Sequence, residues 1–299
     1  MPKSRDRHLA KNAERRRLER TRAKRSKQAA LGVGGVIAAV LLVLLGIGIL
    51  SRDSAEQATD TPTPTPTPSV SVPGGASPTK TGTVTAQGTP AAKVACGGEV
   101  PASASKPKPQ FDRAPAPDEV LKKDTTYTAT IQTSCGPITV QLDEQTAPQT
   151  VANFVFLAEQ GYFDGQFVTR VVDSIDVVQA GDPLGTGRGG PGYAIPDELG
   201  GKMHYGPGTI AMANAGANTG GSQFFLITGP DGANLDGNPN YTIFGHVTEG
   251  LDVAKQINGL MKTTDGSYDG PPTEAVYLEK VTIEQTKTPP ASPSSSPSG

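Results

Sequence analysis

The 299-residue chain has no tryptophan, two cysteines and three histidines, and aromatic residues make up only 5% of it. These shortages exclude several chemistries. His8, His204 and His246 show no metal-ligand spacing among themselves, so a zinc site is not expected. Ser222 is followed by Gln223 and Phe224, without the second glycine and the helix of a nucleophile elbow, so a triad hydrolase is not expected either. The run Gly185-Thr186-Gly187-Arg188-Gly189-Gly190 matches G-x-G-x-x-G. Pro191-Gly192-Tyr193 follows it, however, where a dinucleotide site needs a helix. Those glycines are expected to serve a tight surface loop. No metal and no cofactor is expected.

Charge is distributed unevenly. The first 27 residues hold twelve Lys/Arg against Asp6, Glu14 and Glu19, a net +9. The whole chain is at -2, so residues 28–299 carry 15 basic and 26 acidic residues, a net -11. A basic tail attracts phosphate, but this one has no aromatic residue to stack a base. No nucleic-acid partner is expected. A topology signal beside a membrane, with attraction to anionic lipid, accounts for the charge.

One long hydrophobic run is present, at residues 28–50, with no charge between Lys27 and Arg52. At about 1.5 Å per residue it spans the ~30 Å hydrocarbon core and predicts a transmembrane helix. A cleaved signal peptide is the competing reading. Its apolar region is shorter and ends in a small-residue cleavage site, and neither an Ala-x-Ala nor a lipid-accepting Cys follows here. The basic flank is expected to stay in the cytoplasm, which places everything after Ser51 outside a single-pass cell membrane anchor.

Residues 51–93 turn to Thr, Pro, Ser and Gly, with Thr-Pro repeated up to Pro68. Such a segment cannot bury enough apolar surface to order itself and predicts a disordered, extended stalk. A Cys-containing extension (94–116), a folded domain (117–285) and a disordered tail (286–299) complete the organisation. Outside the cytoplasm, an even cysteine count suggests a Cys96–Cys135 disulfide, with two free thiols as the alternative.

Within 117–285 the pattern is mainly that of strands. Tyr127, Ala129 and Ile131 alternate with polar residues, and so do Ile138, Val140 and Leu142 after a Ser134-Cys135-Gly136-Pro137 turn, which predicts a hairpin. Thr146-Ala147-Pro148 opens a helix with one face of Val151, Phe154, Val155 and Ala158, ended by Gly161. Short apolar runs follow at 167–172, 177–180, 208–213, 224–228 and 242–247. A second helix is expected over 251–258 and a last strand over 275–283. Many short strands, abundant glycine and two helices imply an all-β-dominated antiparallel barrel or sandwich.

The stretch from Met212 through Asn214 to Gln223 and Phe225 offers an unpaired backbone edge, two side-chain amides and an aromatic face within fourteen residues. It can grip an extended peptide and hold a ring, which suits conformational work better than bond breaking. Together with Phe167-Val168-Thr169-Arg170, Val178-Gln179-Ala180-Gly181-Asp182-Pro183, Pro207-Gly208 and Phe244-Gly245, this stretch resembles the cyclophilin-type peptidyl-prolyl isomerases. The layout is similar to membrane-anchored cyclophilins of high-GC Gram-positive bacteria.

The resemblance implies an eight-stranded antiparallel closed barrel capped by two helices, with the site on its outer face. It also implies a folding catalyst for exported or cell-surface proteins, acting on proline-containing polypeptides. Carried over by position, Arg170 matches the catalytic arginine and Phe225 the floor beneath the substrate proline, with Gln223 and Asn214 beside them. Val177, Gln179, Met212, Ala213, Ala215, Leu235 and Tyr241 match substrate-binding positions. Thr169 replaces the family's His, and Tyr241 stands at a position that is often His. One extra residue lies between Arg170 and Gln179, so Ile175 or Val177 must fill that wall. Asn234 sits about where many members have a Trp, so tight cyclosporin binding is not expected. The altered loop after Arg170 also fits a peptide-binding chaperone or surface scaffold with weak or no isomerase activity.

Overall fold

The computed structural model describes residues 77–260 and 268–287. The expected basic tail 1–27, membrane helix 28–50, stalk residues 51–76 and C-terminal residues 288–299 lie outside them. Among the described residues no helix is long and apolar enough to cross a membrane.

In chain order the elements are β1 (Lys80–Val84), β2 (Lys108–Phe111), α1 (Pro117–Val120), β3 (Thr125–Thr133), β4 (Gly136–Leu142), α2 (Pro148–Glu159), β5 (Arg170–Val172), β6 (Val177–Ala180), β7 (Thr209–Met212), β8 (Phe224–Ile227), β9 (Ile243–Glu249), α3 (Leu251–Asn258), β10 (Asp269–Gly270) and β11 (Leu278–Lys287). The hairpin forms as its alternation predicts. Ile131 faces Ile138, Ala129 faces Val140, and both pairs are at most 2% exposed. Helix α2 starts at Pro148, and Glu198 caps it from a distant loop, accepting the N–H groups of Gln149 (2.9 Å) and Thr150 (2.8 Å). A carboxylate there satisfies orphan donors and opposes the helix dipole. Phe154 on its buried face packs against Phe163, Phe224 and Phe244 at 5.0–5.4 Å between ring centroids.

The main sheet has nine antiparallel strands in the order β10-β5-β6-β8-β7-β9-β4-β3-β11. It is mostly β with helices, as expected, but it is open where a closed eight-stranded barrel was expected. β5 takes the two-residue β10 on its outer side. Closure toward β11 is reduced to hydrogen bonds from Gly165 N–H to Leu278 O (2.6 Å), Leu278 N–H to Gln166 O (2.7 Å) and Val168 N–H to Val276 O (2.8 Å). Between the Phe167–Tyr277 bridge and the Val171–Gly270 pair of β5 and β10, residues 168–170 face residues 271–276, and this unequal spacing interrupts the ladder.

Strands β5 to β8 bury both faces. Val171, Val178, Leu226 and Ile210 stand in one cross-strand row and enter the main core with α2 and α3. The neighbouring residues point the other way, where Val172, Val177, Ala211, Phe225 and Ile227 join Tyr205 in a second, smaller cluster.

Residues 77–116 are not set apart from this unit. Part of the expected stalk is strand β1, which pairs with β2. Ala95 and Phe111 are core residues at 0% and 2% exposure, and the Phe111 ring meets Phe156 of α2 edge-on at 4.9 Å. No break in packing marks the boundary expected at residue 117. The reason is local: Phe111 supplies an anchor that the Lys-, Pro- and Ala-rich composition around it hides. Cys96 and Cys135 are joined in a disulfide with Cα atoms 5.1 Å apart, clamping the extension to the β3–β4 turn.

The 39-residue separation of the cysteines gives about 3–4 kcal/mol of stabilisation by loop entropy. Denatured, unreduced protein should therefore show no alkylatable thiol, and reduction should lower the unfolding free energy by about that amount. Two alkylatable thiols in protein isolated without reductant would remove the clamp.

Candidate functional site

The second row of β5 to β8 builds the site. Arg170 is paired with Gln179, Gln179 with Phe225, and Phe225 with Ala211, so four strands carry these side chains to one face. Above them opens a cavity of about 430 Å³. Of the residues expected at a site, Arg170, Val177, Gln179, Ala213, Asn214, Ala215, Gln223, Phe225, Leu235 and Tyr241 line it. Ile175 and Val177 both fill the wall beside the altered loop. Met212 does not line the cavity. It is 3% exposed and packs in the main core, because it follows Ala211 of the site face in β7 and faces the opposite way.

Phe225 forms the floor, 4% exposed, with the Tyr241 ring edge-on at 5.2 Å. Gln179 Nε2 donates to Gln223 Oε1 (3.0 Å), and Gln223 Nε2 donates to Gly189 O (2.9 Å). Two amides are thus oriented in series. The Asn214 side chain turns away, its Nδ2 donating to Asn240 O (2.7 Å). Its main-chain N–H and C=O have no hydrogen-bond partner among the described residues, whereas Ala213 N–H next to it donates to Gln223 O (2.9 Å). The unpaired edge expected around Asn214 is therefore main chain, not amide. Ser222 Oγ donates to Gly181 O (2.7 Å) and is buried, which ties up the one hydroxyl considered as a nucleophile.

Asp269 was not foreseen. It meets Arg170 in a bidentate ion pair, Oδ1 accepting from Nε (2.5 Å) and Oδ2 from Nη2 (2.6 Å). This hydrogen bonding, opposed by partial burial, holds the Arg170 guanidinium above its already high ordinary pKa. β10 is only two residues long and follows a Gly/Thr-containing stretch, so no alternation announced it. Arg188 and Tyr193 also line the cavity. Burial raises the Tyr193 phenol well above its ordinary pKa, and its hydroxyl donates to Asn153 Oδ1 (2.8 Å).

The Gly-rich run has a clear role. Its loop folds around the buried Asp182 carboxylate, which accepts the N–H groups of Leu184 (2.8 Å), Thr186 (2.8 Å), Gly187 and Gly189 (3.0 Å). A Cβ on residue 189 would lie 2.1 Å from Asp182 Oδ1, so the close approach requires glycine. The expected surface loop is present, and it also forms a wall of the cavity through Gly187–Pro191.

The arrangement offers a fixed cation, two amides in series, an unpaired main-chain edge and an aromatic floor. Known proteins match this chain. The family model for cyclophilin-type peptidyl-prolyl cis-trans isomerases matches residues 128–286. A peptidyl-prolyl cis-trans isomerase of Arabidopsis thaliana is 41% identical over 159 residues, covering 52% of this chain and 93% of the relative. One from Schizosaccharomyces pombe is 46% identical over 137 residues, covering 44% and 85%. A probable peptidyl-prolyl cis-trans isomerase A of Mycobacterium leprae is 40% identical over 172 residues, covering 52% and 91%.

Proposed function

The chain belongs to the cyclophilin-type peptidyl-prolyl cis-trans isomerase family and is a peptidyl-prolyl cis-trans isomerase; from that premise we propose that it serves exported or cell-surface polypeptides, with Arg170 acting on the reacting bond. Amide resonance sets a rotation barrier of ~18–20 kcal/mol, and an X-Pro bond crosses it in tens to hundreds of seconds. No covalent bond breaks, so the site needs neither nucleophile nor metal. The transition state is a twisted amide whose prolyl nitrogen has become more basic. The observation that carries this reading is the row Arg170–Gln179–Phe225, a planar cation and an aromatic floor on one face.

Asp269 takes two of the five guanidinium donors and so fixes the plane of the group, leaving three for the substrate nitrogen or carbonyl oxygen. The free main-chain groups of Asn214 suit an extended peptide adding as a short strand. Phe225 and Tyr241 hold the proline ring while the preceding carbonyl turns. Gln179 and Gln223 supply amides to the flanking backbone, so the groove favours the twisted form over either ground state. The extracytoplasmic setting is supported by the uncharged run 28–50 behind its basic flank and by the Cys96–Cys135 disulfide, which persists in oxidising compartments. The membrane anchor and outward orientation are part of the same proposal.

Arg170→Ala should lower kcat/KM in a protease-coupled isomerisation assay at least tenfold, about 1.4 kcal/mol of transition-state stabilisation, with little change in peptide affinity. Arg170→Lys should recover little, because a point charge lacks the planar fork. Parent-level activity in Arg170→Ala would sink the role given to the guanidinium.

Arg170 and Tyr193 line the groove, and an arginine and a tyrosine ordinarily change charge only above about pH 9.5. Hydrogen bonding to Asp269 moves Arg170 further up, and burial moves Tyr193 further up. The protonated forms thus persist across the neutral range, and kcat/KM should be flat from about pH 6 to about pH 9. A bell-shaped profile centred near neutrality would show that a proton-transfer group takes part.

Protease added to intact cells should release a fragment containing the folded domain by cutting between residues 51 and 76, and leave residues 1–50 in the membrane. Full-length, protease-resistant protein on intact cells would count against the outward orientation. A mature N-terminus between Ser51 and Asp60 would show secretion by cleavage.

A further inference from the structure

The loop wrapped around Asp182 has an inner and an outer face. Inside, Gly187–Pro191 border the groove, and the Gly189 carbonyl holds the Gln223 amide. Outside, it is covered by chain that precedes the stretch matched to the family, which begins at residue 128. The N–H groups of Gln87 and Gly88 both donate to Leu184 O (2.8 Å each). A Cβ on residue 88 would lie 2.0 Å from Gly185 O, so backbone rests directly on backbone. Further along, Gln110 Nε2 donates to Gly190 O (2.8 Å), and Phe111 N–H donates to Pro191 O (2.8 Å). This covering segment is itself held. Ala95 N–H donates to Ala275 O and Ala275 N–H to Lys93 O (2.8 Å each), Cys96 is bonded to Cys135, and Phe111 is buried against Phe156.

We propose that residues 86–111 are a built-in brace for the substrate groove, and that Gln110 is a positioning residue for the two groove amides. The geometry runs in series. Gln110 holds the Gly190 carbonyl, the adjoining Gly189 carbonyl accepts from Gln223, and Gln223 accepts from Gln179. Four backbone donors to Asp182 secure the centre of the loop, but Gly190 and Pro191 lie past the last of them at Gly189. Their outward hydrogen bonds to β2 are what fix that end. An isomerase lacking the brace would keep the residues of the groove and lose the fixed acceptor that aims its amides. Placement within about half an ångström separates a productive site from a loose one.

The inference rests on the peptide binding in this groove, and the test separates the two. Full-length Gln110→Glu keeps the side chain's shape but cannot donate to Gly190 O, and Gln110→Ala removes the contact altogether. Both should lose roughly three- to tenfold in kcat, the range expected for one hydrogen bond, with KM changed less than about twofold. The side-chain amide resonances of Gln179 and Gln223 should shift in both variants. Lys93→Ala, in the same segment but exposed and paired with Glu274, should behave as the parent does. Parent-level kcat with unshifted Gln179 and Gln223 resonances in both Gln110 variants would overturn the brace. An equal loss in Lys93→Ala would overturn the specific role of Gln110. An inactive parent would sink the isomerase reading, and the brace with it.

Discussion

The register across β5, β6, β8 and β7 is the constraint on which the rest of the molecule depends. One row sends Val171, Val178, Leu226 and Ile210 into the main core, and the next row sends Arg170, Gln179, Phe225 and Ala211 to the opposite face. Because the side-chain period in a strand is two, a slip of one residue would exchange these rows. It would bury the Arg170 guanidinium beneath α2 and expose four aliphatic side chains. Burying an unpaired charge costs several kcal/mol and losing that apolar contact adds more, so the core enforces the placement of the groove. Fold and site are one register decision.

The groove's second wall is organised differently, around one buried carboxylate. Asp182 is 1% exposed and lies in a stretch with no strand or helix of its own. A buried charge is tolerated only when hydrogen bonds replace its water. Here the donors are the N–H groups of the loop that follows it, so the cost of burying Asp182 and the need to satisfy an irregular backbone offset each other. The glycines let the chain curl tightly enough for four N–H groups to converge. The result is a rigid loop built from a composition that ordinarily signals flexibility.

Much of this was legible in the residues. The β3–β4 hairpin, α2 and α3 carry their period plainly, and Arg170, Gln179, Gln223 and Phe225 stand in blocks with a recognisable order. Met212 was misplaced because a family position names a residue without saying which face of the strand it takes. Asp269 and Gln110 were missed for a common reason: each sits in a strand of two to four residues, Asp269–Gly270 and Lys108–Phe111. Strands so short have no measurable alternation, and their pairing is decided by tertiary contacts. Asp182 was within reach, since an Asp-Pro-Leu-Gly run before a glycine-rich stretch is the signature of a side chain capping its own turn. Barrel closure failed for the opposite reason: the apolar pattern of 167–172 favours a ladder, but residues 271–276 stand opposite only 168–170 between the Phe167–Tyr277 bridge and the Val171–Gly270 pair.

The Arg170–Asp269 pair raises the question of how a bridged arginine can serve a substrate. Both side chains are about half exposed, at 46% and 51%, and pairs in that setting contribute only about 0–1 kcal/mol. The carboxylate therefore adds little stability. What it adds is direction, because the bidentate contact fixes the Nε–Nη2 edge and with it the plane of the whole group. A twisted amide presents its lone pair within a narrow range of angles, and a freely turning guanidinium would meet it only part of the time. The charge that Asp269 offsets matters less than the rotational freedom it removes, since the barrier to be lowered concerns orientation of a neutral amide rather than stabilisation of an ion. The groove thus has its cation aimed from one side by Asp269 on β10 and its amides from the other by the loop around Asp182.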